Sequence, residues 1–279
     1  MKGGLCIAAF VVATSVQAQA PLERGKYLVE GILTCGNCHT PRGPGGVLDT
    51  ANRHAGGPQV WETAEYKVRP SNITPDKATG IGNWSAEQIK VSMRDGRRPD
   101  GSQLSPQMPY GFYKIFTPAD LDAVVAYVMS IPPVARKVDA PVYKVKEMVV
   151  DVPPGAEKPM PAAAMADPVK KGFYLATIGH CTECHTPIVN GHRDFKGSLG
   201  AGGEEFKGPF GVSVSRNITS HKQNGIGAWS DAEVKRAITQ GVRKDGTKLK
   251  PPMGFAWYAT MTDADLDAIV AYVRTIPPK

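Results

Sequence analysis

Apolar residues recur at helical spacing in two distant stretches that read almost alike. In LDAVVAYVMSIPP, Leu121, Val124, Val125 and Val128 mark one face, and LDAIVAYVRTIPP repeats the pattern near the C-terminal end. Pro132-Pro133 stops the first of these helices, and Thr117-Pro118-Ala119-Asp120 starts it with a cap and a proline at the first helical position. Upstream, Leu22 to Ile32 forms a short amphipathic helix, and Ser85-Ala86-Glu87-Gln88 opens another with a capping box that runs to Gly96. Residues 40–83 and 97–113 are rich in glycine, proline and polar side chains and predict loops. Residues 134–167 are enriched in proline and alanine without a sustained period, which predicts a linker; Val142 to Val152 alternates well enough for a short extended strand within it.

Beyond residue 168 the pattern begins again. KGFYLATIGHC stands for GKYLVEGILTC, SRNIT for PSNIT, GIGAWS for GIGNWS, and the capping box returns as Ser230-Asp231-Ala232-Glu233. This is an internal duplication, and a full set of helices per copy predicts two like domains, 22–133 and 168–279, on either side of the 134–167 linker.

The first residues change the expected compartment. Lys2, an apolar run from Leu5 to Val12 and Val16-Gln17-Ala18 read as an export signal over residues 1–18, and no other run of about twenty apolar residues predicts a membrane span. Cys6 lies in that signal, so four cysteines remain for the mature chain. The formal charge of +7 is modest, and no basic helix interleaved with aromatics predicts nucleic-acid binding.

Those four cysteines fall in CGNCH, Cys35 to His39, and CTECH, Cys181 to His185. Cys-x-x-Cys-His is the spacing for covalent haem attachment: each thiol adds to one vinyl group and the histidine is held beneath the ring to bind iron. Structural zinc gathers its ligands within one small module, whereas these pairs lie a domain apart. Two covalently bound haem c groups are expected, on Cys35 and Cys38 and on Cys181 and Cys184, with His39 and His185 as axial ligands. A sixth ligand common to both copies should appear as a matched pair, and from the tryptophan through the last helix the copies align at an offset of 145. Met108 falls on Met253, each in a proline-flanked loop, while Met93, Met129 and Met261 fall on other residue types. Gap-filling core is the ordinary role of methionine, and Met108 and Met253 are read instead as thioether ligands, which raise the potential of a haem iron. Asn72, Thr74 and Trp84, with Asn217, Thr219 and Trp229, are candidate haem-pocket residues. His54, His180, His192 and His221 lack partners in the other copy and read as loop or surface histidines.

CHTPRG, NITPDKATGIGNWS, DGRRPDG, QMPYGFY and LDAVVAYVMSIPP, each with an echo in the second half, resemble the cytochrome c subunits of periplasmic bacterial dehydrogenases of the alcohol, gluconate and molybdenum hydroxylase types. The resemblance implies an all-α fold of two tandem class I cytochrome c domains. It also implies a non-catalytic periplasmic electron carrier, taking electrons from a dehydrogenase and passing them to a quinone, an oxidase or another cytochrome, with any membrane association made through a partner. An enzyme of the dihaem peroxidase or thiosulfate-oxidising type is the alternative; it requires one replaceable haem ligand, against which the paired methionines count.

Overall fold

The computed structural model describes residues 12–279, with side chains from residue 20 onward, so the expected signal over 1–18 lies for the most part outside the described residues. The first half contains helices α1 (Val12–Glu30) and α2 (Cys35–His39), strands β1 (Trp61–Glu62) and β2 (Tyr66–Val68), and helices α3 (Ala86–Asp95), α4 (Tyr110–Tyr113) and α5 (Pro118–Ser130). Strand β3 (Val142–Tyr143) lies in the connecting segment. The second half adds α6 (Pro168–Ile178), α7 (Cys181–Cys184), β4 (Ile188–Val189), β5 (His192–Arg193), β6 (Glu205–Gly208), β7 (Gly211–Val214), α8 (Asp231–Gln240), α9 (Phe255–Tyr258) and α10 (Asp263–Val273). No helix among the described residues is long and apolar enough to cross a membrane.

The chain is not all-α. Among the described residues helix is in the minority, and strands form one three-stranded and two two-stranded sheets. The strands are two to four residues long, too short for a period of two to rise above the surrounding glycine and proline. β1 and β2 fall within residues 40–83, read as a loop, and β4 to β7 lie between the second haem motif and α8. β3 comes from the connecting segment and pairs antiparallel with β2, Tyr66 opposite Tyr143.

The helix caps follow from local sequence. Ser85 and Gln88 form a complete capping box on α3, Ser230 and Glu233 form its copy on α8, and Gly96 and Gly241 end these helices in the left-handed conformation. Within each half the first and last helices cross at a glycine. A Cβ at Gly25 would overlap the carbonyl oxygen of Ala123, and one at Gly172 would overlap that of Ala268, so only glycine lets these backbones approach so closely.

The two halves share one hydrophobic core. Leu28, Val29, Ile32 and Leu33 from α1 and the turn after it pack in the same cluster as Tyr174, Leu175 and Ile178 from α6. Across this junction runs a reciprocal pair of hydrogen bonds. The Tyr27 hydroxyl donates to Asp265 at 2.7 Å, and the Tyr174 hydroxyl donates to Asp120 at 2.7 Å. Each aspartate is also paired within its own half, Asp120 with Arg24 at 2.8 Å and Asp265 with Lys171 at 2.5 Å. Both lie in the first turn of a helix capped by threonine, where the exposed amides favour negative charge. Asp120 and Asp265 are only 8% and 5% exposed, so each hydroxyl offsets the desolvation of a buried carboxylate.

Tyr174→Phe should therefore cost about 1–2 kcal/mol of unfolding free energy, and Tyr27→Phe less, because Tyr27 is only half-buried. Chemical denaturation of the two variants beside the parent protein checks the order.

Candidate haem-binding sites

The residue before each first cysteine has a positive φ: 49° at Thr34 and 43° at His180. Histidine adopts this conformation more readily than most residues, but a β-branched side chain such as Thr34 rarely does, and holds it only where surrounding structure fixes it. The positive φ turns the chain sharply from α1 into α2, and from α6 into α7, so that both cysteines and the histidine lie within a single helical turn. Burial pushes the Cys35 thiol up to about 12 and the Cys181 thiol to about 11. Burial, followed by the nearby carboxylate of Glu183 from the other half, pushes Cys38 to about 11; Cys184 is also raised, by burial first. All four are therefore neutral thiols in the haem-free chain.

The histidines carry the clearest signal. His39 Nδ1 donates to the carbonyl of Ser71 at 2.7 Å, and His185 Nδ1 donates to the carbonyl of Arg216 at 2.6 Å. An imidazole whose Nδ1 proton is engaged keeps its lone pair on Nε2 and cannot rotate, which is how a protein orients a metal-ligating histidine. Burial lowers the pKa of His39 to about 4 and lowers that of His185, so both rings are neutral near pH 7. The donor set in each half thus fits a covalently held haem: two thiols at the required spacing and one oriented Nε2.

The candidate pocket residues Asn72 and Thr74, with their copies Asn217 and Thr219, hold the acceptor carbonyls in place. Asn72 Oδ1 accepts from the Thr74 amide at 2.9 Å and its hydroxyl at 2.7 Å, while Nδ2 donates to the carbonyl of Val134 at 2.8 Å. Asn217 does the same with Thr219, at 2.8 Å and 2.6 Å, and with the carbonyl of Lys279 at 2.8 Å. Their polar groups are spent on tying the carbonyl-bearing loop to the segment that follows the last helix of the same half. Trp84 and Trp229 are half-buried and pack against the shared core.

Met108 and Met253 are half-buried in matching loops. In each, the chain leaves its glycine cap, folds back through a backbone bond from Leu104 to Gly96 or from Leu249 to Gly241, both 2.7 Å, and reaches the methionine just before the short helix α4 or α9. Those helices bury Tyr113 and Tyr258, which burial raises well above the ordinary phenol range. Tyr113 lies close enough to Cys35 and Cys38, and Tyr258 to Cys181 and Cys184, for the thiols to contribute to that rise. This matched pair was missed as a site feature, although the offset that selects the methionines also selects it.

His54 meets only part of the expectation, since it lies in a turn but is buried. It is 1% exposed, not a surface residue, and its Nε2 bonds Glu30 at 2.9 Å. Burial raises the Glu30 pKa, but bonding and charge from His54, the Arg53 charge and the Tyr127 hydroxyl outweigh it, and the net shift is downward. His180 pairs with Glu183 at 3.2 Å, His192 with Asp151 at 2.9 Å, and His221 Nδ1 accepts amide bonds within its own loop.

Comparison with known proteins matches the family described as Cytochrome c to residues 22–132 and again to residues 169–277. The chain is 31% identical to the fructose dehydrogenase cytochrome subunit of Gluconobacter japonicus, over 95% of this chain and 55% of that one. It is 30% identical to the alcohol dehydrogenase (quinone) cytochrome c subunit of Gluconacetobacter polyoxogenes, over 100% of this chain and 62% of that one. A diheme cytochrome c-type protein of Cereibacter sphaeroides is 28% identical over 87% of this chain and 82% of its own length. This chain therefore spans between half and two thirds of the two dehydrogenase subunits.

Asn72→Ala is expected to destabilise the fold by about 1–3 kcal/mol, since it leaves buried amide and carbonyl groups unpaired. Asn217→Ala should cost less, because Asn72 is 2% exposed whereas Asn217 is only half-buried. Denaturation midpoints of the two alanine variants measure the difference.

Proposed function

This chain belongs to the cytochrome c family, one such domain in each half and two covalent haem c groups in all, and from that premise we propose that it relays electrons from a periplasmic dehydrogenase to a quinone, an oxidase or another cytochrome. Bound haem supplies a reversible one-electron couple. The protein's part is attachment, orientation and shielding. Cys35 and Cys38 anchor one haem and Cys181 and Cys184 the other, while His39 and His185 present Nε2 from rings fixed by their backbone bonds.

Met108 and Met253 would supply thioether sulfur to the two irons, which would leave no position for a substrate to bind and would raise the potential. Tyr113 and Tyr258 are buried near the thiols of each site. The observation that carries the proposal is the repetition of one oriented imidazole in two halves fixed to each other by a common core and two buried tyrosine–aspartate bonds. The signal segment supports export, and the dehydrogenase relatives support a dehydrogenase partner, through which the chain associates with the membrane.

Replacing Met108 or Met253 singly with alanine should remove about half of the weak far-red absorption that marks thioether ligation of oxidised haem and lower the midpoint potential of one haem. Potentiometric titration with optical detection reads both quantities. An unchanged spectrum and potential in either variant counts against the ligand assignment.

A further inference from the structure

The duplication lets one copy serve as the control for the other, and one difference between their surfaces lies at the edge of the hairpin that precedes the histidine-binding loop. In the first half the outer edge of β2 is taken by β3 from the connecting segment. That segment is clasped by Gln103, whose Oε1 accepts from the Met148 amide at 2.7 Å and whose Nε2 donates to its carbonyl at 3.0 Å. It also neutralises the rim: Glu147 pairs with Arg97 at 2.6 Å, and the Tyr143 hydroxyl takes a bond from Arg98 at 2.9 Å.

In the second half the equivalent hairpin, β6 with β7, is a two-stranded sheet that no third strand joins among the described residues. Val212 and Val214 on β7 are 49% and 42% exposed. At the same offset of 145, Glu62, Gln103 and Ser105 become Lys207, Lys248 and Lys250, and all three lysines are exposed. Lys250 Nζ donates to the carbonyl of Val212 at 3.3 Å, which places the approach to the Met253 loop directly on the strand edge. Lys207 reaches Glu205 on its own strand, an exposed pair of small energy. Charge is likewise uneven: the first matched region carries twelve basic and eleven acidic side chains, the second fourteen and ten.

We infer that the free edge of β7, flanked by Lys207, Lys248 and Lys250 beside the Met253 loop, is where a carboxylate-rich segment of a partner protein docks, so that electrons are exchanged with that partner through the second half. The lysines explain both the open edge and its selectivity. Edge lysines discourage pairing with a neutral or basic strand, including another copy of the same edge, while an acidic segment meets complementary charge. The first half cannot offer this face because the connecting segment already occupies it.

This inference rests on the electron-relay reading and is tested apart from it. The probe is a synthetic peptide of residues 140–151, the chain's own edge-pairing segment, carrying Lys144→Glu and Lys146→Glu. It is immobilised for interferometry with the haem-loaded protein at low ionic strength. Lys207→Glu with Lys248→Gln and Lys250→Ser, the side chains the first half uses, should weaken binding about tenfold, and added salt should weaken the parent protein toward the variant. Lys77→Glu with Lys137→Gln and Lys222→Gln removes the same charge from exposed positions elsewhere and should leave binding unchanged. Equal weakening by both sets would overturn the inference in favour of general charge attraction. Dependence on the three lysines for vesicles containing phosphatidylglycerol, but not for the peptide, would overturn it in favour of a membrane surface. Reversible redox titration of the parent protein and both variants keeps the two readings separate: a failure there counts against electron relay, whatever the peptide does.

Discussion

Each half is organised around one hydrogen bond, from a histidine Nδ1 to a backbone carbonyl. It fixes the tautomer and the orientation of the ring together, and neither the cysteine spacing nor the burial of the site would do so alone. The acceptor carbonyl sits on an irregular loop, which has no ladder of its own to hold it. Asn72 and Asn217 supply the missing rigidity by binding that loop to the chain just beyond α5 and α10. The helix pair crossing at Gly25 or Gly172 fixes the exit of that last helix. Ring orientation thus depends, through a short series of contacts, on a glycine distant in sequence.

Duplication then yields more than two copies of a site. The first helices of the halves meet in one core, and each sends a tyrosine across to a buried aspartate in the other. A buried carboxylate without partners would be expelled or neutralised. Here Asp120 and Asp265 each have a cation from their own half and a hydroxyl from the opposite one, so their burial is satisfied only when the halves are joined. The junction brings the motif helices close, with Glu183 near enough to Cys38 to affect its thiol. The connecting segment is part of the same economy: it covers the first half and leaves the second open.

Much of this was legible in the chain. The haem motifs, both capping boxes, the helices ended by proline or glycine and the matched methionines follow from local chemistry and the internal repeat. The expectation of an all-α fold failed because hairpins such as Trp61–Glu62 with Tyr66–Val68 are too short to show alternation; β3, by contrast, lies at the start of the stretch whose alternation suggested a short strand. The burial of His54 within its loop was not legible, because it depends on Glu30 and Tyr127, which approach from separate parts of the chain. No local pattern encodes a junction such as Tyr174 with Asp120, which exists only once both halves have folded.

The central claim is that both irons are held from two sides, by an oriented imidazole and by a methionine sulfur. Low-temperature electron paramagnetic resonance of the fully oxidised, haem-loaded protein tests it most directly. The account predicts two low-spin ferric signals of equal intensity per chain, with none from high-spin iron. A high-spin signal amounting to one of the two haems would contradict it and identify a site open to substrate.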